Sequence, residues 1–572
     1  MVGEAAFSFQ WDDDILPDDC DPLVGYAKDK TILVSEEHQW FNMDDGEFMD
    51  LFCSVFGHEN SVEKKAELFG HNEQKLDSDT WIQNDHFMPD LEEFKENLQP
   101  SVSELRKPVK EKPDSISLAS WDLLNSYGKG FKMSRGENLK DLIEETPVGV
   151  QKLSTEEILR VAGEKFIQFS TNRIDGISMF IHPYVGSSLS GLSMDEARDV
   201  ELVHLLLSAA ENVHSGRFDV ASKLISRCLW VASDSGSPVQ RVAFYFAEAL
   251  QQRIYREKVW ITGEKMRNQP VKREACLALG TNNTFLAVHQ ELPFAQVTQL
   301  AAIQAIIENV KTSRKIHLID LQVRSGIQWT ALMQGLADCS IQYLKITAVT
   351  TTDVQEAKDT GKRLLSFAQS FNLPFIFKVL NLKDMKDFKE DLLDVEADET
   401  LVIYSYMMLR TMISTPDRLE ILMRAVTRLR PALMVVTEVE ANHNSSSFVD
   451  RFIEALFFYS VFFDCLEDCM EKNNKFRTIL ERTYFGEGII NIVSTESQER
   501  VTRNVKIDVW RAFLVRFGME EIDLSESSRY QASLVLKRFS HGSSCTLEYN
   551  GKGLFVGWKG TPLHSLTAWK FK

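Results

Sequence analysis

The sequence predicts an α/β protein in which a mostly parallel sheet carries an α-helical cap and follows a disordered acidic N-terminal region. Three observations carry that reading. Charge is segregated: residues 1–100 hold 25 Asp and Glu against 6 Lys and no Arg, so the whole net charge of −19 lies there, and residues 101–572 keep 58 acidic and 58 basic side chains. From about residue 154 to 310, apolar residues recur every three or four positions, the helical period. From residue 315, short β-rich runs alternate with helical stretches, as parallel strands joined by crossover helices do.

Residues 1–145 read as the disordered acidic region, with acidic clusters studded by large apolar side chains such as Phe9, Trp11, Ile15 and Leu16, then Trp40, Phe41, Phe48, Leu51 and Phe52. Carboxylate repulsion keeps such a segment expanded and its aromatics available to a partner groove, as in an acidic activation segment; a solvated leader is the competing reading. Arg106, Lys107, Lys110 and Lys112 form a loose basic cluster of the kind used for nuclear import and also common in linkers. No run reaches the roughly 18–20 apolar residues of a membrane helix, and Met1–Gln10 has no signal-peptide form, so a soluble intracellular chain is expected. The neutral body lacks the basic field of a dedicated DNA-binding domain.

The folded domain is expected over residues 146–572, with a helical cap over about 150–310 and an α/β core over about 311–572. Ser154-Thr155-Glu156-Glu157 and Ser193-Met194-Asp195-Glu196 have capping-box form and start helices. Gly216, Gly236 with Pro238, and Gly263 divide the helical stretch that follows. Most of its apolar residues serve the core. A leftover stripe drawn from Leu202, Leu205, Leu206, Phe218, Leu224 and Leu229 is the candidate partner-binding face. Ile316–Ile319, Leu344–Val349, Phe375–Val379, Leu401–Tyr404 and Leu433–Val436 read as five buried parallel strands. Ser533–Arg538, Cys545–Tyr549, Gly553–Trp558 and Ser565–Phe571 read as an antiparallel completion with no helix between them. Five parallel strands and a terminal hairpin are the methyltransferase-like Rossmann arrangement, and fold alone does not settle function.

In such a sheet a ligand lies at the carboxyl ends of the strands. The loop after the first strand contains Asp320, Arg324, Gly326, Gln328 and Trp329. A nucleotide or S-adenosylmethionine cradle needs several glycines, and this loop has one, with a long cationic side chain at Arg324. Asp320 reads first as a loop or helix cap, and second as a partner for a ligand hydroxyl. After the fifth strand, Glu438, Glu440, Asn442, His443 and Asn444 read as hydrogen-bonding residues that lock a loop rather than as an acid–base pair. No nucleophile elbow, Walker loop, H-E-x-x-H or C-x-x-C occurs, so no catalytic residue, cofactor or metal is expected. The eight cysteines read as reduced, and Cys465 and Cys469 lack a second pair to complete a zinc site. Trp329, Trp558 and Trp569 are expected to be buried.

The ordered segments together resemble the plant GRAS family of transcriptional regulators. Glu201–Ile254 resembles its first leucine-rich region. Ile316-His317-Leu318-Ile319-Asp320 with Gly326–Trp329 resembles its VHIID motif, and Leu344 onward its second leucine-rich region. Leu373-Pro374-Phe375, Arg428–Pro431 and Glu440–Asn444 resemble the PFYRE region, and Trp510, Trp558 and Trp569 the SAW region. His317, Asp320, Gly326, Gln328, Trp329, Glu440, Asn442, His443, Trp510, Trp558 and Trp569 are thereby structural motif residues. The resemblance implies a nuclear regulator, not an enzyme, that works through contacts with other GRAS proteins and DNA-binding factors, as a homo- or heterodimer, with DNA reached indirectly and no membrane. The alternatives are a small-molecule methyltransferase that uses S-adenosylmethionine, or a direct DNA binder. Three features depart from the family pattern: Arg324-Ser325 stands for Gly-Gln, Tyr404–Arg410 differs from the usual stretch, and no DELLA or TVHYNP-type segment is found, which points to a branch lacking the DELLA segment.

Overall fold

A computed structural model describes residues 153–171, 192–262, 282–337, 339–351 and 354–572. The acidic clusters, the basic cluster at 106–112 and the Gly263 punctuation lie outside the described residues. Both capping boxes form. Ser154 N–H donates to Glu157 (2.8 Å) and Glu157 N–H returns to Ser154 Oγ (3.2 Å) at the start of α1, Thr155–Thr171. The Ser193–Glu196 pair opens α2, Met194–His214, with the same reciprocal bonds at 2.8 and 3.2 Å. Helices α3 (Phe218–Val231), α4 (Pro238–Thr262), α5 (Asn282–Glu291) and α6 (Pro293–Val310) follow.

The sheet then assembles from β1 (Lys315–Asp320), β2 (Tyr343–Thr350), β3 (Phe375–Asn381), β4 (Thr400–Tyr406) and β5 (Leu433–Val439), all parallel. Their crossovers carry α7 (Ile327–Leu336), α8 (Val354–Ser370) and α9 (Pro416–Leu429). After β5 come α10 (Phe448–Cys469), the short α11 (Lys475–Ile479), a π-helical stretch over Leu480–Gly486, α12 (Glu487–Val493) and α13 (Ile507–Arg516). β6 (Met519–Ile522), α14 (Glu526–Leu536), β7 (Cys545–Asn550), β8 (Gly553–Trp558) and β9 (Thr561–Phe571) end the chain.

The strand order is β3-β2-β1-β4-β5-β9-β8-β7, and β9 runs antiparallel to β5. β9 is long enough to serve two partners along its other edge: β8 pairs with Thr561–Leu566 and β6 with Ala568–Phe571. The expected strand at Ser533–Arg538 is corrected by α14, which covers most of it. Ser525 caps that helix by accepting from Ser528 N–H (3.0 Å), and Ser528, Ala532 and Val535 repeat at a helical spacing that buries one stripe. On one sheet face Ile319, Ile403, Met434, Val436 and Trp569 pack with Leu419, Leu422 and Val426 of α9 and Trp510, Phe513 and Leu514 of α13. The apolar α10 is buried nearly all round, as its composition requires.

Candidate functional site

At the carboxyl end of β1 the chain must turn at once into α7. Gly326 makes that turn at φ 70°, a left-handed conformation, and a Cβ there would sit 2.6 Å from Thr360 Cγ2. The helix start carries Trp329 inward. Its indole N–H donates to Asp320 Oδ2 at 2.9 Å, and Gln322 N–H donates to Oδ1 at 3.1 Å. Both carboxylate oxygens of Asp320 are therefore engaged by the chain itself, and Trp329 occupies the position from which a ligand hydroxyl would reach it. Burial pushes the Asp320 carboxyl up to about 6, against the pull of these two donors. Gln328 is half-buried, on the same helix.

His317 lies deeper, in a buried polar cluster under the sheet. Its Nδ1 is 2.9 Å from Glu399 and its Nε2 2.8 Å from Thr347 Oγ1, while Tyr343 donates to Glu399 at 2.8 Å and Lys345 lies beside the same carboxylate. Burial, reinforced by Lys345, drives His317 down to about 4. It holds β1 and β2 to the loop before β4.

The residues after β5 lock a loop. Glu438 accepts from Leu409 N–H (2.8 Å), and Glu440 from Ile507 N–H (3.0 Å). Burial pushes each carboxyl up to about 7. His443 is fully buried: its N–H donates to Asn504 O (3.0 Å), its Nδ1 lies 2.8 Å from Asn504 Nδ2, and Arg500 donates to its carbonyl (3.1 Å). Asn444 accepts from Arg503 at 3.1 Å, and Asn442 is exposed, with its N–H on Glu454 (3.2 Å). Trp510, Trp558 and Trp569 are all buried, Trp569 donating to Thr567 Oγ1 at 2.9 Å.

On the helical face, Leu202 and Leu206 turn inward and are buried, so their expected place on a partner surface is corrected: α2 spends them against its neighbours. Leu205, Phe218, Leu224 and Leu229 are half-buried. The structure adds residues the sequence reading passed over. Trp230 is 90% exposed, and Val220, Val231 and Tyr255 are also exposed. The signal was present: α3 buries Ala221, Ile225 and Cys228, so Val220, Leu224 and Val231 fall outside that stripe, and Trp230 opposite it. Lys223 and Arg227 are exposed along the same helix, and Arg217 just before it.

These features define a class: a Rossmann-type platform whose first strand end is closed by its own tryptophan, capped by helices that leave large apolar side chains in solvent. The GRAS domain family model matches residues 202–570. The chain is 33% identical over 379 residues to DELLA protein RGL3 of Arabidopsis thaliana, covering 66% of this chain and 70% of that protein. It is 29% identical over 409 residues to DELLA protein GAIP of Cucurbita maxima, covering 70% and 67% respectively. The crystal structure of SCL7 in Oryza sativa superposes with a TM-score of 0.56 at 27% identity, covering 64% of this chain and 99% of that one. The chain belongs to the plant GRAS family of transcriptional regulators.

Proposed function

We propose that the chain is a nuclear co-regulator that acts as a scaffold: the outer face of α3 and α4 docks other GRAS proteins or DNA-binding factors, and DNA is reached through them. The exposed Trp230 carries this reading. An indole left in water forfeits burial worth about 1.5–3 kcal/mol for a large apolar side chain, and such residues are enriched at interface hot spots. Val231 adjoins it, while Lys258 Nζ lies 4.0 Å from Asp219, which sets Tyr255 of α4 near Val220 at the other end of α3. Arg217 at the start of α3, with Lys223 and Arg227 along it, favours an acidic partner surface. The equal numbers of acidic and basic residues over 101–572 favour protein over DNA as the direct contact. We take residues 1–145 as the acidic recruiting region and 146–572 as the GRAS domain.

Affinity purification from plant nuclei tests it, with wild type beside Trp230→Ala. The variant is expected to keep its melting temperature within about 2 °C, as an exposed residue should, and to lose its GRAS or DNA-binding partners by about tenfold or more. An unchanged partner set removes α3 as the docking face. Titration with S-adenosylmethionine and a gel shift with bare DNA check the rival readings, and saturable binding in either would replace the scaffold.

A further inference from the structure

Beyond β4 the chain bends sharply. Met407 adopts φ 54°, with its N–H on Thr437 O at 2.7 Å, and this returns Arg410 over the ends of β4 and β5. The register places Tyr404, Tyr406 and Thr437 on one sheet face, with His564 of β9 beside Val439 on that face. Helices α6 and α10 cover it: the Phe294 and Phe462 rings stand 5.7 and 6.2 Å from His564, and His443 stacks on Tyr459 at 6.3 Å.

Within this small region several buried polar atoms have no hydrogen-bond partner: Tyr404 Oη, Thr437 Oγ1, His443 Nε2, His564 Nδ1 and Arg410 Nε. Each such atom is destabilising if nothing fills the space beside it. Arg410 is the common neighbour, since its charge acts on Tyr406, Tyr459, His443 and His564. Its guanidinium donates to a neutral amide, Asn504 Oδ1, at 3.0 Å. Glu438, the carboxylate that acts on it, is held by the backbone of Leu409 and pushed towards its neutral form by burial. Tyr406 and Arg410 border this cluster and are only partly buried.

We infer that these unpartnered groups line a space between the sheet and helices α6 and α10 that binds a small organic carboxylate. Arg410 takes the carboxylate, Tyr404, Thr437 and His564 supply polar contacts, and Tyr459 with Phe462 forms the apolar wall. The site lies over β4, β5 and β9, and at Tyr404 it adjoins the strand end that Trp329 closes, the two rings standing 4.8 Å apart. It is independent of the docking face on α3.

Calorimetric titration of the full chain with benzoate and with benzamide, near in shape but uncharged, tests the assignment. One benzoate per chain is expected, bound at least about tenfold more tightly than benzamide. Arg410→Gln should bring benzoate down to the benzamide level. Tyr404→Phe removes only a partnerless hydroxyl, so it should keep the melting temperature and weaken benzoate severalfold. Should Arg410→Gln fail to fold, Tyr404→Phe and Arg410→Lys decide the matter, the latter keeping the charge but losing the planar fork and weakening benzoate. Binding of neither compound, equal binding of both, or benzoate affinity untouched in the folded variants overturns the site.

Discussion

Asp320 and Trp329 show how a strand end that offers a ligand position in other Rossmann sheets can be spent internally. The indole donates to the carboxylate and stacks edge-on against Tyr404 at 4.8 Å between ring centres. Trp329→Ala should cost about 3–5 kcal/mol, read by chemical unfolding, because it opens a cavity and strips a buried carboxyl of a donor. Trp329→Phe should cost less and raise the Asp320 pKa further. Glu438 gives a pH test. Its folded pKa, about 7, lies above the ordinary 4.5, so its contribution to stability is fully present below about pH 4.5 and is lost as pH rises through 7. Glu438→Gln keeps an oxygen for Leu409 N–H and removes the titration. The variant should therefore gain on wild type between pH 5 and 8, by up to a few kcal/mol, with the difference vanishing towards pH 4.5. A difference that stays flat across that range would show the carboxyl to be ordinary.

At the scale of elements, local signals and tertiary demands part company in the last sixty residues. The apolar character of Ser533–Arg538 suits a strand or one face of a helix, and a short apolar run cannot distinguish them. The Ser525 cap and the packing of α14 on α6, where Ser525 Oγ donates to Glu308 at 2.8 Å, decide for the helix. The four residues of β6, Met519–Ile522, carry no strand pattern of their own and become a strand only where β9 extends past β8 and offers a free edge. Gly542 marks the tight turn that follows α14: a Cβ there would stand 1.8 Å from the Leu536 carbonyl oxygen, a backbone atom that cannot move aside cheaply. Gly542→Ala is expected to destabilise by about 1–3 kcal/mol, with the loss visible in thermal melts, whereas Gly518→Ala meets no neighbour and would be strained only by its φ of 80°.

Across the whole molecule, cap and core are joined by buried charge. Arg241 of α4 is buried, donates to Glu467 of α10 (2.8 Å) and to Gly236 O (2.8 Å), and lies 3.1 Å from Glu481 in the π-helical stretch, while Arg477 donates to the same Glu467 at 2.5 Å. Arg241→Ala should cost about 3 kcal/mol, since it leaves the buried Glu481 with only Arg477, at 3.3 Å, as a cationic partner, and Arg241→Ala/Glu481→Ala should recover part of that in a double-mutant cycle. The five parallel strands, both capping boxes, the motif residues around β1 and the family itself were legible in the sequence, because periodicity, caps and short-range spacing are written within a few residues of one another. Which leucines face outward was not, as Leu202 and Leu205 share one periodic stretch of α2 and differ only in what packs against them. Nor was the convergence of Tyr404, Arg410, His443 and His564, since residues up to 160 apart meet there only after β9 has inserted beside β5. Local order was set by the chain's neighbours in sequence; exposure and the buried polar cluster under the cap were set by neighbours in space, which folding alone supplies.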